Sequence, residues 1–479
     1  MSRMTARDLT FISVSIALIA VCSWISVPSA IPFTLQTFAV CLIAALLGLR
    51  PGLWAVAGYI LLGAVGVPVF SGFRGGPGAL LGVTGGYIIG FLFTALTVGF
   101  AADRHGRRLP VLLFSMALGI LLCYVFGTAW FMLVYAKNTG PVSLGTALAM
   151  RAAKIMYECR EKAARVFGTD PERVILAPSC TAALNMAVKG YIKSGKVLIS
   201  NLEHNAVCRP LYAMRGAGRI ELVSFDALAE DAVGEFAEKV KGAAAAVFTH
   251  GSNVCGKLLP LAKLVKRAHE NGALTVIDAA QTAGYAEVSF ERTGADIVCC
   301  AGHKGPGGPM GTGLLIVNRA LDITPATILE GGTGLYSRDE EMPDLLPERL
   351  EAGTPAVALF AGLSAALDEF SLYSDFSAFD LLCDSLRDIK GVTVYCPDKG
   401  EERLPVLLFN IDGMDCDDVM NRLARKGICV RSGFHCAPLA HEALGTLNGG
   451  VRVSLGKQNT VEEVKIFCRE IAAMAKTRL

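Results

Sequence analysis

"DIVCCAGHKGPGGPMGTGLLIVN", residues 296–318, decides the fold class of most of this 479-residue chain. Its ends, "DIVCCAG" and "GLLIVN", are short and wholly apolar, as strands buried on both faces of a sheet are. Between them a glycine-rich turn carries His303 and Lys304. A lysine in such a partly desolvated turn is suited to act as a Schiff-base amine; alone, it reads equally as a surface loop lysine. Working outward, "LTVIDAA" (274–280), "AAAVFTH" (244–250), "KVLISN" (196–201) and "RVILAP" (173–178) repeat the strand pattern. Amphipathic stretches such as "EDAVGEFAEKVKG" (230–242) and "LAKLVKRAHENG" (261–272) separate them. Strands alternating with helices predict a mostly parallel sheet covered by helices on both faces. Ligands in such sheets sit at the carboxyl ends of the strands.

Four more segments place reactive side chains at those ends. In "LAPSCTAALNMAV" (176–188), Ser179, Cys180 and Thr181 stand at a helix start, where free N–H groups suit a phosphate and where an ordinary cap is the commoner meaning. "SNLEHNAV" (200–207) puts His204 just after a strand. "VIDAAQTAG" (276–284) ends a strand with Asp278 and Gln281, and a buried carboxylate there needs a cationic partner. "VRSGFHCAPLAHEALG" (430–445) sets Cys436 beside His435 and Arg431, which favour a thiolate when charged.

The first 150 residues are a different medium. They hold eight basic and two acidic side chains, and no glutamate precedes Glu158. Apolar stretches at 10–29, 37–49, 52–70, 80–101 and 110–136 predict an all-α membrane bundle of about five spans in a lipid bilayer. The first run is too long, and its basic flank too short, for a cleaved signal peptide. Placing the N-terminus inside leaves Arg3, Arg7, Arg50, Arg104, Arg107 and Arg108 cytoplasmic, with only Arg74 and Lys137 outside. The overall charge of +2 argues against nucleic-acid binding. The fifteen cysteines form no CxxC pair and read as reduced, mostly buried thiols; no metal site is expected.

Two resemblances follow from these motifs. "ISVPSAIPFTLQTFAVCLIAALLG" (25–48), "GVPVFSGFRGGPGALLGVTGGYIIGF" (66–91) and "GRR" (106–108) resemble the biotin transporter substrate-binding subunit, the BioY family of energy-coupling-factor transporters. That implies a biotin site under the outer loops and an energy-coupling transmembrane partner, met by the Ala17-x-x-Ala20 face. Physics alone reads the loop glycines equally as helix-packing residues. The family has six spans, and here the sixth is interrupted by Arg151 and Lys154.

From Arg151 onward the motifs together resemble class V, fold type I, pyridoxal-phosphate enzymes, most closely the cysteine desulfurases with a short catalytic loop. The resemblance implies that Lys304 binds pyridoxal 5'-phosphate covalently, His204 stacks on its ring, Asp278 pairs with the pyridine nitrogen and Gln281 bonds the phenolic oxygen. Ser179, Cys180, Thr181 and His303 would hold the phosphate. Thr333, in "EGGTGLYS" (330–337), would reach the phosphate of the partner subunit in a homodimer. Asn253, in "HGSNVCG" (250–256), would lie beside cofactor and substrate. Arg452, in "GGVRVSLGKQNT" (449–460), would clamp the substrate carboxylate with Arg431 nearby. Cys436 would take the sulfur of L-cysteine as a persulfide, leaving L-alanine, for a sulfur acceptor protein. A selenocysteine lyase or a class V transaminase is the alternative enzyme.

The expected organisation is therefore a membrane domain at 1–150 and an enzyme at 151–479, with a large domain to about 335 and a small C-terminal α+β subdomain from 336. About forty residues of the enzyme family's opening segment have no counterpart. Both resemblances break near Met150-Arg151 without a linker, which points to a truncated fusion, a recombined gene or two joined reading frames, with an inactive enzyme tail as the alternative outcome. Five spans would leave the enzyme on the exterior, whereas its chemistry belongs in the cytoplasm.

Overall fold

The computed structural model describes residues 5–27, 33–71, 73–82, 84–139 and 144–476. Arg3, the outer-loop residue Pro32 and the junction residues 140–143 lie outside the described residues. The chain forms two compact units, Met1–Lys154 and Ile155–Leu479.

The first unit is helical: α1 (Ala6–Trp24), α2 (Gln36–Leu47), α3 (Leu49–Ala64), the short α4 (Pro77–Leu81), α5 (Gly85–His105) and α6 (Leu109–Thr139). A two-residue ribbon, β1 (Ser26–Val27) with β2 (Phe33–Thr34), joins α1 to α2. Three helices, Ala6–Trp24, Gly85–His105 and Leu109–Val134, are long and apolar enough to cross a membrane. With 12 and 16 residues, α2 and α3 are shorter. The tight turn between them is satisfied by charge. Asp103 accepts a hydrogen bond from the Leu49 amide at 2.9 Å. Arg107 donates to the carbonyls of Ala45 at 3.0 Å and Leu46 at 2.7 Å. These are the backbone groups that helix ends leave unpaired, and an apolar medium would make them costly. Gly86 and Gly90 pack against Trp130 and Cys123, so at these positions the glycines serve helix packing; Gly76 and Gly78 face open space. Ala20 is buried in this unit's core, so only Ala17 of that small-residue pair stays partly accessible.

The helix interrupted by charge at Arg151 continues past it, but it is not among the described helices apolar enough to cross a membrane. Helix α7 (Leu144–Phe167) runs through the expected boundary. Arg151 and Lys154 are exposed, while Met156, Cys159, Ala163, Ala164 and Phe167 form a helical stripe buried in the second unit's core.

The second unit holds a seven-stranded sheet. Its strands are β3 (Val174–Ala177), β4 (Gly195–Ser200), β5 (Ile220–Phe225), β6 (Ala243–Thr249), β7 (Leu274–Asp278), β8 (Ile297–Ala301) and β9 (Gly313–Val317). Their spatial order is β3-β9-β8-β7-β6-β4-β5. Strand β9 is antiparallel to both neighbours, and the remaining pairings are parallel. Helices α8 (Cys180–Tyr191) and α9 (Asn205–Gly216) follow β3 and β4. Two apolar clusters cover the two faces of the sheet, as a parallel sheet requires.

A second, antiparallel sheet orders β10 (Val392–Tyr395), β11 (Val406–Ile411), β12 (Arg431–Gly433) and β13 (Gly450–Ser454) as β10-β11-β13-β12. Its core with the helices Ser377–Arg387, Cys416–Ala424 and Val461–Lys476 begins at Ala378. The preceding helix, Val357–Asp368, packs Phe360, Leu363 and Leu367 on the large sheet instead.

Candidate active site

The site gathers where α8 and α9 begin and where β7 and β8 end. Ser179 caps α8, its hydroxyl accepting from the Ala182 amide at 3.1 Å. Its side chain thus serves the helix. The amides of Cys180 and Thr181, first in α8, remain for a ligand, since the opening turn has no internal acceptors. Gly313 lies so close that a Cβ there would overlap the Ser179–Cys180 backbone. The Cys180 thiol lies 3.8 Å from Asp278 Oδ1, and burial beside that carboxylate pushes its pKa far up, so it is a neutral thiol.

Asp278 closes β7, is buried, and accepts from the Ala280 amide at 2.9 Å. Among the described residues it forms no ion pair. Lys304 sits in a turn closed by Gly307 N to Lys304 O at 2.9 Å and Gly308 N to Gly302 O at 2.7 Å. That turn packs on the loop after β7 through backbone, because a Cβ at Gly305 would overlap the Ala283 carbonyl. Gln281 lies half-buried in that loop.

His204 caps α9, with Nδ1 accepting from the Ala206 amide at 3.0 Å. The ring is therefore held as the tautomer protonated at Nε2. Burial lowers its pKa, with Asp278 opposing and Lys304, Arg209 and Arg452 adding to the fall. His204, Thr181, Arg209, Asn205 and Cys436 line one cleft of about 350 Å³.

Residues of the four-stranded sheet and its loops, with Asn253 from the loop after β6, supply the rest. Cys436 is one of two exposed cysteines, the other being Cys429. Its carbonyl accepts from the Asn205 amide at 2.7 Å. Asn253 Nδ2 donates to the His435 carbonyl at 2.9 Å, and Arg452 Nη1 donates to the Asn253 carbonyl at 3.0 Å. Burial pushes the His435 pKa down to about 4, so His435 is neutral and gives Cys436 no charge, contrary to the expectation for this neighbour. Arg431 is exposed on β12.

The structure thus brings together Cys180, Thr181, His204, Asn253, Asp278, Lys304, Arg452 and Cys436. His303 is exposed, with no described hydrogen bond to α8. Thr333 closes a local turn with Leu335 and touches none of the others within the chain. Sequence reading missed Arg209, Asn205 and Glu203. Arg209 falls four residues after Asn205, a helical spacing that puts the two on one face, and both line the cleft.

Comparison with known proteins completes the picture. The family described as Aminotransferase class-V matches residues 131–467, and the BioY family matches residues 1–159. The two matches overlap over residues 131–159, from the last part of α6 into α7. A probable cysteine desulfurase of Methanothermobacter thermautotrophicus is 32% identical over 366 residues, covering 71% of this chain and 89% of that protein. One of Pyrococcus abyssi is 28% identical, covering 69% and 86%. Among solved structures, the apo cysteine desulfurase of Thermococcus onnurineus matches with TM-score 0.62 and 28% identity, covering 69% of this chain and 86% of that one. A cysteine desulfurase of Escherichia coli gives TM-score 0.62 at 26% identity, covering 70% and 86%. This chain belongs to the pyridoxal-phosphate-dependent aminotransferase class-V family and carries at its N-terminus a region similar to the BioY family.

Proposed function

We propose that the second unit is a cysteine desulfurase that converts L-cysteine to L-alanine and stores the sulfur on Cys436. One observation carries the reading: the exposed thiol of Cys436 opens on the same cleft as Thr181 and His204, while Asp278 and Lys304 lie at the strand ends beside it. The residues present fit pyridoxal phosphate. Free amides of α8 suit its phosphate, the buried Asp278, in no ion pair among the described residues, suits its protonated nitrogen, and Lys304 offers an amine. When bound, the cofactor supplies the electron sink that loosens bonds at the substrate α-carbon.

The chain's own groups do the rest. Arg452 orients the substrate carboxylate, with Asn253 holding its guanidinium in place. Lys304 Nζ takes the α-proton. His204, with Nδ1 engaged, offers Nε2 to move a proton at the cleft. The Cys436 thiolate attacks the substrate sulfur: an S–S bond forms and the carbon–sulfur bond breaks. The electron pair of that bond stays with the carbon skeleton, which takes up a proton to become alanine.

Incubating the full chain with pyridoxal phosphate and L-cysteine should yield alanine and a persulfide on Cys436 by mass spectrometry. Cys436→Ser should abolish both, and Lys304→Ala should remove the yellow colour. Alanine from the Cys436→Ser chain would point to another nucleophile and sink the reading.

The roles given to Gln281, His303 and Thr333 belong to the same proposal, as do the homodimer and a sulfur acceptor protein. For the first unit, the reading is a multi-pass membrane subunit that binds biotin and docks an energy-coupling partner. Its support is a buried polar cluster at one end of the helices: Gln36 Nε2 donates to Tyr59 Oη at 2.8 Å, and Tyr59 Oη to the Val69 carbonyl at 3.0 Å. A biotin-dependent rise in melting temperature of the detergent-solubilised chain tests it. Labelling of Cys436 by a membrane-impermeant thiol reagent in intact cells decides on which side the enzyme lies. The tryptic peptide Asn138–Arg151 tests whether both halves are translated as one chain.

A further inference from the structure

We infer that His441 and Thr446 form, with His435, a positioning relay that fixes the turn presenting Cys436. The role of Cys436 rests on the desulfurase reading; the relay itself does not.

The side chains run in line. Thr446 Oγ1 lies 2.8 Å from His441 Nδ1, His441 Nε2 lies 3.2 Å from His435 Nδ1, and His435 Nε2 lies 3.2 Å from the Arg431 carbonyl. The two rings lie nearly parallel, with centroids 5.4 Å apart and 17° between planes. A carbonyl only accepts, so His435 Nε2 carries the proton. Burial, with Arg452 and Arg431 nearby, keeps that ring neutral, so Nδ1 is its lone-pair atom. His441 must then donate from Nε2 and accept at Nδ1, and burial likewise disfavours its charged form. The Thr446 hydroxyl donates to it. The same hydroxyl also faces the His441 carbonyl at 3.4 Å, and from His441 through His435 the donors point toward the Arg431 backbone.

The turn needs holding. His435 and Cys436 have φ of 51° and 58°, consecutive left-handed positions that side chains disfavour. Asn253 and Asn205 grip the two carbonyls of this turn from the cleft side. Among the described residues, the relay grips it from behind, through the buried His441 and Thr446, neither of which lines the cleft.

The test compares His441→Phe, which keeps a ring and loses both nitrogens, with His441→Gln, which keeps a donor toward His435. Thr446→Val serves as a milder break should His441→Phe not fold. Two quantities are read on the full chain: kcat and KM for L-cysteine with pyridoxal phosphate, and the rate of Cys436 alkylation by iodoacetamide, resolved by peptide from Cys429. We expect His441→Phe to lower kcat by roughly tenfold or more with KM unchanged, as misplacement of a nucleophile does. Cys436 should then alkylate faster, and His441→Gln should restore most of both. Unchanged kcat and alkylation in His441→Phe, or equal losses in the Phe and Gln variants, would overturn the relay. If the wild-type chain makes no alanine, the desulfurase reading fails, and the alkylation comparison still decides the relay.

Discussion

Arg452 donates from Nη1 to the Asn253 carbonyl at 3.0 Å and keeps its Nε buried without a partner. One edge of the guanidinium is thus anchored by backbone and another is left for a planar acceptor. On the proposed reading a substrate carboxylate would satisfy it with paired bonds, and hydrogen bonds to charged groups contribute roughly 1.5–3 kcal/mol. Arg452→Lys loses the fork, so KM for L-cysteine should rise about tenfold or more, measured from initial rates of alanine formation. An unchanged KM would remove Arg452 from the substrate site.

Gly313→Ala tests the phosphate seat. The added methyl overlaps the backbone at the start of α8, and overpacking of this kind costs about 1–3 kcal/mol. The helix start must shift, carrying the Cys180 and Thr181 amides with it. Titration of the apo chain with pyridoxal phosphate should show weaker binding; wild-type affinity would place the phosphate elsewhere.

Glu203 predicts a pH dependence. It is wholly buried, accepts from Ser200 Oγ and from the Thr249 amide at 2.9 Å, and has Oε2 unpartnered. Burial pushes its pKa from 4.5 up to about 8. The native state therefore holds a proton that the unfolded chain releases across that window. Stability falls as pH rises from about 4.5 to about 8 and levels off above, an effect on the order of a few kcal/mol. Glu203→Gln should flatten this part of the melting-temperature profile and melt higher than wild type above pH ~8. Parallel profiles for the two proteins would contradict the assignment.

Arg160 of α7 meets Glu351 at 2.6 Å, and the other Glu351 oxygen accepts from the Leu176 amide in β3 at 2.6 Å. Both side chains are largely buried, so removing one strands the other's charge at about 3–5 kcal/mol. Arg160→Ala should lower the denaturation midpoint sharply. The apolar pair Arg160→Met with Glu351→Leu should recover most of that loss, and failure to recover would mean that the bond to Leu176 matters more than the charges.

Much of the architecture was legible because burial leaves a local mark. The fully apolar runs at β3, β4, β6, β7, β8 and β9 are strands covered on both faces. Strand β5 escaped notice because it lies at the sheet edge, and its exposed Glu221 and Ser224 break the apolar run. The charged pair Arg151 and Lys154 suggested the end of a helix, yet α7 continues, because those side chains occupy its exposed face.

Sequence alone determined the two media, the order of the strands along the chain, and the residue types a pyridoxal-phosphate site requires, since hydropathy period and helix-start chemistry act over a few residues. It could not determine which groups meet. His204 approaches Asp278 across the intervening strand β6, and Cys436 reaches the cleft from the loop after β12 of the other sheet. The left-handed turn at His435 and Cys436, and the choice of His441 as its support, come from packing between segments distant in space. Only the tertiary structure sets such contacts, because the distance between two side chains depends on every element folded between them.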